Sequence, residues 1–125
     1  TPPVFAIYVM RETLKWLKGI GGVEAIHEIN RKKAALLYDE IDRNSLFVGT
    51  AAKEDRSLMN VCFVPSEGHE DIFDEFFAFA KERGMVGIKG HRSVGGFRAS
   101  LYNACSVEDV RALVDCMKEF ETLKK

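Results

Sequence analysis

Apolar residues recur along this chain at helical spacing, and the clearest case is Val23, Ile26, Ile29, Asn30, Leu37 and Ile41. Their three- and four-residue steps predict a helix ending near Asn44, with Glu24, Glu28, Arg31, Lys32 and Asp39 on its solvated faces. A second stripe, Ile72, Phe73, Phe76, Phe77 and Ala80, predicts a helix over 70–83 whose phenylalanines pack in the core, with Gly84 placed to cap its C-terminus. Ser106, followed three residues later by Asp109, marks the start of a last helix carrying Val107, Val110, Leu113, Val114, Met117 and Phe120. The first helix is expected to begin after Pro2 and Pro3 and to end near 19–22. Its opening, 4–10, is apolar on every side, which fits either a core helix or a surface covered by another part of the protein or a second subunit.

Between the helices the period changes. Leu58, Val61, Phe63 and Val64 predict a strand over 56–64 closed by Pro65. Residues 85–88 and 97–102 read as two short neighbouring strands joined by a connection that contains His91, Arg92, Gly95 and Gly96. The expected class is α+β, a small and largely antiparallel sheet flanked by helices. A length of 125 residues with 46% hydrophobic content suits one domain, 1–125, and one core.

Composition narrows the function classes. No apolar run approaches the roughly 18 residues of a membrane-spanning helix. The cysteines, Cys62, Cys105 and Cys116, are odd in number and contain no Cys-x-x-Cys pair, which suggests neither a disulfide framework nor a zinc site and fits a reducing cytoplasm. His27 has no second ligand at metal spacing and reads as a surface group.

Charge is distributed unevenly. Of 18 basic and 19 acidic side chains, four basic ones (Arg83, Lys89, Arg92 and Arg98) and no acidic one fall in 83–107, which leaves 14 against 19 elsewhere. A guanidinium offers a planar fork that matches a carboxylate or a phosphate, and glycines let a ligand or another chain approach the backbone closely. On local chemistry alone, 83–107 fits an anion site or a solvated basic strand and loose turn.

The run Gly90-His91-Arg92-Ser93-Val94-Gly95-Gly96-Phe97-Arg98-Ala99-Ser100-Leu101-Tyr102-Asn103-Ala104 resembles the C-terminal signature of phosphoserine aminotransferases. Thr1-Pro2-Pro3 and Arg56-Ser57-Leu58-Met59-Asn60-Val61 are similar to two further segments of that family. The resemblance spans the chain but covers only the last third or so of such an enzyme. It implies the small C-terminal domain of a fold-type I pyridoxal-phosphate enzyme, without the domain that bears the Schiff-base lysine.

The resemblance also implies roles. Arg98 would bind the substrate α-carboxylate, His91 and Arg92 the substrate phosphate, and Thr1 the cofactor phosphate from across a homodimer interface. Lys89 reads as a surface charge, since the family's lysine lies upstream. The implied reaction moves an amino group reversibly between glutamate and 3-phosphohydroxypyruvate, giving 3-phosphoserine and 2-oxoglutarate on the route to serine. The cofactor supplies the electron sink, so this domain alone is expected to be inactive, with no catalytic residue of its own. Two alternatives stand beside this reading. One is another fold-type I pyridoxal-phosphate enzyme with a different substrate. The other is a KH-like RNA-binding module, because Gly87-Ile88-Lys89-Gly90 matches the Gly-x-x-Gly loop, although a net charge of −1 disfavours a broad nucleic-acid footprint.

Overall fold

A computed structural model describes residues 1–125. Along the chain come α1 (Val4–Gly19), α2 (Gly22–Arg43), β1 (Phe47–Gly49), a 3-10 turn (Lys53–Asp55), β2 (Asn60–Pro65), α3 (Ile72–Glu82), β3 (Phe97–Ser100) and α4 (Val107–Lys124). The strands form one antiparallel sheet in the order β1-β2-β3. This is the α+β arrangement expected from the periodicities.

Because side chains alternate across a strand, the register divides the sheet into unlike faces. Phe47, Val61, Phe63, Phe97 and Ala99 are buried on one face against α2 and α3, with α4 packed on those helices. Val48, Cys62, Val64, Arg98 and Ser100 lie on the other face and are exposed or half-buried. Aromatic packing joins the layers. Phe97 meets Phe76 edge-on at 5.2 Å between centroids and stacks on Phe73 at 4.7 Å, and Phe76 meets Phe120 of α4 at 5.1 Å. Such pairs add about 0.5–1.5 kcal/mol each beyond area burial.

Helix termini fall where local chemistry places them. Ser106 and Asp109 form a reciprocal capping box at the start of α4. Gly84, at φ 86°, ends α3 while the Met85 N–H returns to the Ala80 carbonyl. That closure takes Met85 from the segment read as a strand over 85–88. It is turn and loop, and its only sheet-like link is a bridge between Lys89 and Phe97. Along its length β3 pairs with β2, and the preceding segment adds only this one bridge beside it.

The strand expected over 56–64 begins later, at Asn60, because the Ser57 hydroxyl accepts from the Met59 and Asn60 N–H groups and holds 57–60 in a turn. β1, three residues long, is too short to show a period. On α2, Val23 is exposed, whereas Lys33 and Glu40 are buried. α1 buries no residue at all and packs only on α2, so the core-helix reading of 4–10 does not hold. Phe5 is 79% exposed and Val4 67%.

Candidate functional site

Residues 89–96 make the approach to β3, and backbone hydrogen bonds fix their path. Arg98 N–H donates to the Ile88 carbonyl at 2.8 Å, and Gly90 N–H donates to that of Gly96 at 2.8 Å. The crossing is too close for side chains. A Cβ on Gly90 would overlap the Gly95 carbonyl oxygen, and one on Gly96, at φ 65°, would lie 2.6 Å from Val64 Cγ1. Within this turn the Val94 and Gly95 N–H groups both donate to the His91 carbonyl, at 3.0 and 2.8 Å.

The loop folds around a pocket of about 670 Å³ lined by Phe73, Lys89, Gly90, His91, Arg92 and Gly96, together with Gly95. His91 and Arg92 therefore share one pocket, and Lys89, read as a surface charge, is exposed at its edge. No carboxylate lines it. Lys89, Arg92 and Arg98 form no ion pair within the chain. Arg83, counted in the same basic stretch, is neutralised: its Nη2 lies 2.8 Å from Glu119 Oε1 and its guanidinium sits 3.4 Å from the Phe79 ring centroid.

Arg98 lines a second pocket, beside Val86, Ile88 and Tyr102, so the structure does not bring it into the pocket of His91 and Arg92. Its Nε is buried without a hydrogen-bond partner in the chain. Arg56 Nε is unpaired in the same way, but the Arg56 guanidinium is held by Asp42 through its other nitrogens, whereas Arg98 has no carboxylate partner in the chain. Thr1 is exposed ahead of α1 and lines neither pocket.

The exit from β3 is held by Lys33, a residue that sequence reasoning passed over. Its Nζ donates to the carbonyls of Leu101, Tyr102 and Cys105 at 3.3, 2.9 and 2.9 Å. Burial pushes the amine below its usual pKa. Asn30 Nδ2 donates to Asn103 Oδ1 at 2.8 Å in the same turn. Lysine at a helix position predicts solvent, and only the tertiary fold reveals that three carbonyls converge on it.

Lys33 Nζ is occupied by those carbonyls, and Lys89 is an exposed amine. The Gly87–Gly90 segment lies between α3 and β3 and bridges to β3 at Lys89 and Phe97, whereas a KH loop joins two helices, so that alternative loses its structural basis.

The family model for class-V aminotransferases matches residues 1–113. Phosphoserine aminotransferase from Parabacteroides distasonis is 61% identical over 97% of this chain and 34% of its own length. That from Azobacteroides pseudotrichonymphae is 58% identical over 98% of this chain and, again, 34% of its own length. Among solved structures, phosphoserine aminotransferase from Bacillus circulans subsp. alkalophilus superposes with a TM-score of 0.94 at 44% identity, covering 100% of this chain and 34% of the larger one. Pyridoxal-phosphate-bound phosphoserine aminotransferase from Trichomonas vaginalis gives 0.87 at 45% identity, covering 94% of this chain and 34% of its own. The chain thus spans about a third of the length of the curated relatives it matches. The sequence and fold matches extend over almost the whole chain, and the chain belongs to the class-V aminotransferase family.

Proposed function

We propose that residues 1–125 are the C-terminal, substrate-binding domain of a phosphoserine aminotransferase. The full-length protein transfers an amino group reversibly between glutamate and 3-phosphohydroxypyruvate, giving 3-phosphoserine and 2-oxoglutarate for serine biosynthesis. The observation that carries the reading is the carboxylate-free pocket shared by His91 and Arg92, set on a scaffold 56–61% identical to phosphoserine aminotransferases. A phosphate dianion suits such a pocket, where a guanidinium fork and an imidazole N–H donate to different oxygens. Arg98 takes the substrate α-carboxylate and thereby fixes the orientation of the reacting carbon, a positioning effect worth several kcal/mol of barrier.

Pyridoxal phosphate, when bound by the rest of the protein, supplies the electron sink. Thr1 touches its phosphate from a neighbouring subunit, and the 125 residues by themselves are inactive. The exposed apolar opening of α1, with Val4, Phe5, Ile7 and Tyr8, supports a covered surface in a homodimer. No helix is long and apolar enough to cross a membrane, and the unpaired cysteines fit the cytoplasm.

The test is amino transfer by the full-length, cofactor-loaded protein. Formation of glutamate from 2-oxoglutarate with 3-phosphoserine as donor, far faster than with alanine, is the expected result. Equal rates with the two donors would overturn the reading.

A further inference from the structure

We propose that Ser93 is a positioning residue for the phosphate contact: it holds the His91 ring with Nδ1 as acceptor, so that the ring presents its Nε2–H to the phosphate. The inference rests on the proposed role of His91 and adds a residue to which that role assigned nothing.

Two contacts at Nδ1 favour one proton arrangement. The Ser93 backbone N–H donates to His91 Nδ1 at 3.3 Å. An amide N–H only donates, so Nδ1 offers a lone pair and carries no proton. Ser93 Oγ lies 2.7 Å from the same Nδ1. In that arrangement Oγ–H donates as well, and the hydroxyl and the amide share the one Nδ1 lone pair. With Nδ1 accepting, the ring hydrogen belongs to Nε2. No side-chain or backbone atom of this chain hydrogen-bonds to Nε2, and the ring lines the pocket that also holds Arg92.

The main chain of His91 is fixed at the same time, because its carbonyl accepts from both Val94 and Gly95. The remaining freedom is rotation of the imidazole and choice of tautomer, and Ser93 removes both. Without its hydroxyl, a long amide hydrogen bond is all that holds Nδ1. Once the proton moves to Nδ1, Nε2 turns a lone pair toward a phosphate oxygen, and an attractive contact becomes a repulsive one. Ser93 therefore acts on phosphate affinity through His91, leaving the charges of Arg92 and Lys89 untouched.

The experiment uses the full-length, cofactor-loaded protein with 3-phosphoserine as donor. Steady-state kinetics are measured for Ser93→Ala, Ser93→Thr, His91→Ala and the double variant Ser93→Ala/His91→Ala, alongside imidazole ¹⁵N spectra of ¹⁵N-histidine-labelled protein. The proposal expects Ser93→Ala to raise KM for 3-phosphoserine about three- to tenfold with kcat within twofold, in line with the loss of one hydrogen bond. Ser93→Thr, which keeps the hydroxyl, restores KM, and the double variant is no worse than His91→Ala alone. The His91 signal reports the Nε2–H form in the parent and a mixture of forms in Ser93→Ala. An effect of Ser93→Ala that adds in full to that of His91→Ala, or an unchanged tautomer, overturns the role of Ser93 while leaving His91 in place. If His91→Ala leaves KM unchanged, the phosphate role of His91 falls, and the Ser93 proposal falls with it.

Discussion

Cys62 and Arg98 are directly opposed Cα partners in the antiparallel ladder between β2 and β3. Their neighbours on either side, Val61 with Ala99 and Phe63 with Phe97, point the other way into the core. Arg98 is therefore placed by the residues that flank it. Phe97 and Ala99 can be buried only if Arg98 is turned to the open face, so the hydrophobic core fixes the direction of the guanidinium.

Replacing Arg98 with Ala in the full-length protein is expected to lower kcat/KM for amino transfer about a hundredfold or more, since substrate orientation is lost. The melting temperature should change little, because the side chain pairs with nothing in the chain. Arg98→Lys keeps the charge but not the fork and should recover only part of the activity. Kinetics and thermal denaturation of the same preparations decide the matter, and a large drop in melting temperature with Arg98→Ala would instead make the residue structural.

Gly90→Ala alters no charge but drives a methyl group into the Gly95 carbonyl oxygen. The loop must open to admit it, separating the elements that present His91 and Arg92. The expected outcome is a KM for 3-phosphoserine raised at least tenfold, with stability reduced by about 1–3 kcal/mol. Retention of the parent KM would show that the close crossing of 90 and 95–96 is dispensable.

Lys33→Met preserves length and removes the charge, leaving the carbonyls of Leu101, Tyr102 and Cys105 without their donor. A loss of about 3 kcal/mol in unfolding free energy is expected, in keeping with buried acceptors left unsatisfied. Hydrogen exchange in 101–105 should rise at the same time, and chemical denaturation followed by exchange measurements checks both.

Glu121 sits against α2's exit, where it accepts from the Ser45 N–H at 2.9 Å, from Ser45 Oγ at 2.7 Å and from Arg43 Nη2 at 2.8 Å. Those donors hold its pKa down to about 2, below the ordinary carboxylate value. A depressed folded-state pKa stabilises the fold above the unfolded value and loses that contribution as pH falls from about 4.3 toward 2. Glu121→Gln should lower stability at neutral pH by about 2 kcal/mol and flatten the acid limb of the pH profile. An unchanged acid limb would contradict the assignment.

Much of this was legible in the order of residues, for identifiable reasons. Helix ends announced themselves through local chemistry: prolines before α1, Gly84 after α3, and Ser106 with Asp109 before α4. His91 and Arg92 are adjacent in sequence, so one turn delivers both to one pocket. Other features depend on partners distant in sequence. β1 exists because Phe47 meets Phe63 and Phe76, and three residues carry no period of their own. Residues 85–88 have strand-like composition, yet Met85 closes α3 and 86–87 form a turn, so only Ile88 reaches β3. Nothing local singles out Lys33 or Glu121, whose partners, the 101–105 turn and Ser45 at the exit of α2, lie far away in sequence. The separation of Arg98 from the pocket of His91 and Arg92 follows from sheet alternation and loop path together, which only the fold resolves.

The most direct test of the central claim is the ratio of kcat/KM for 3-phosphoserine to that for alanine, measured in the full-length, cofactor-loaded protein and its Arg92→Ala variant. A charge-assisted hydrogen bond to the phosphate, worth about 1.5–3 kcal/mol, predicts that the variant loses tenfold or more with 3-phosphoserine and almost nothing with alanine. A ratio unchanged by the substitution, with both donors falling together, would contradict the assignment of this pocket to phosphate.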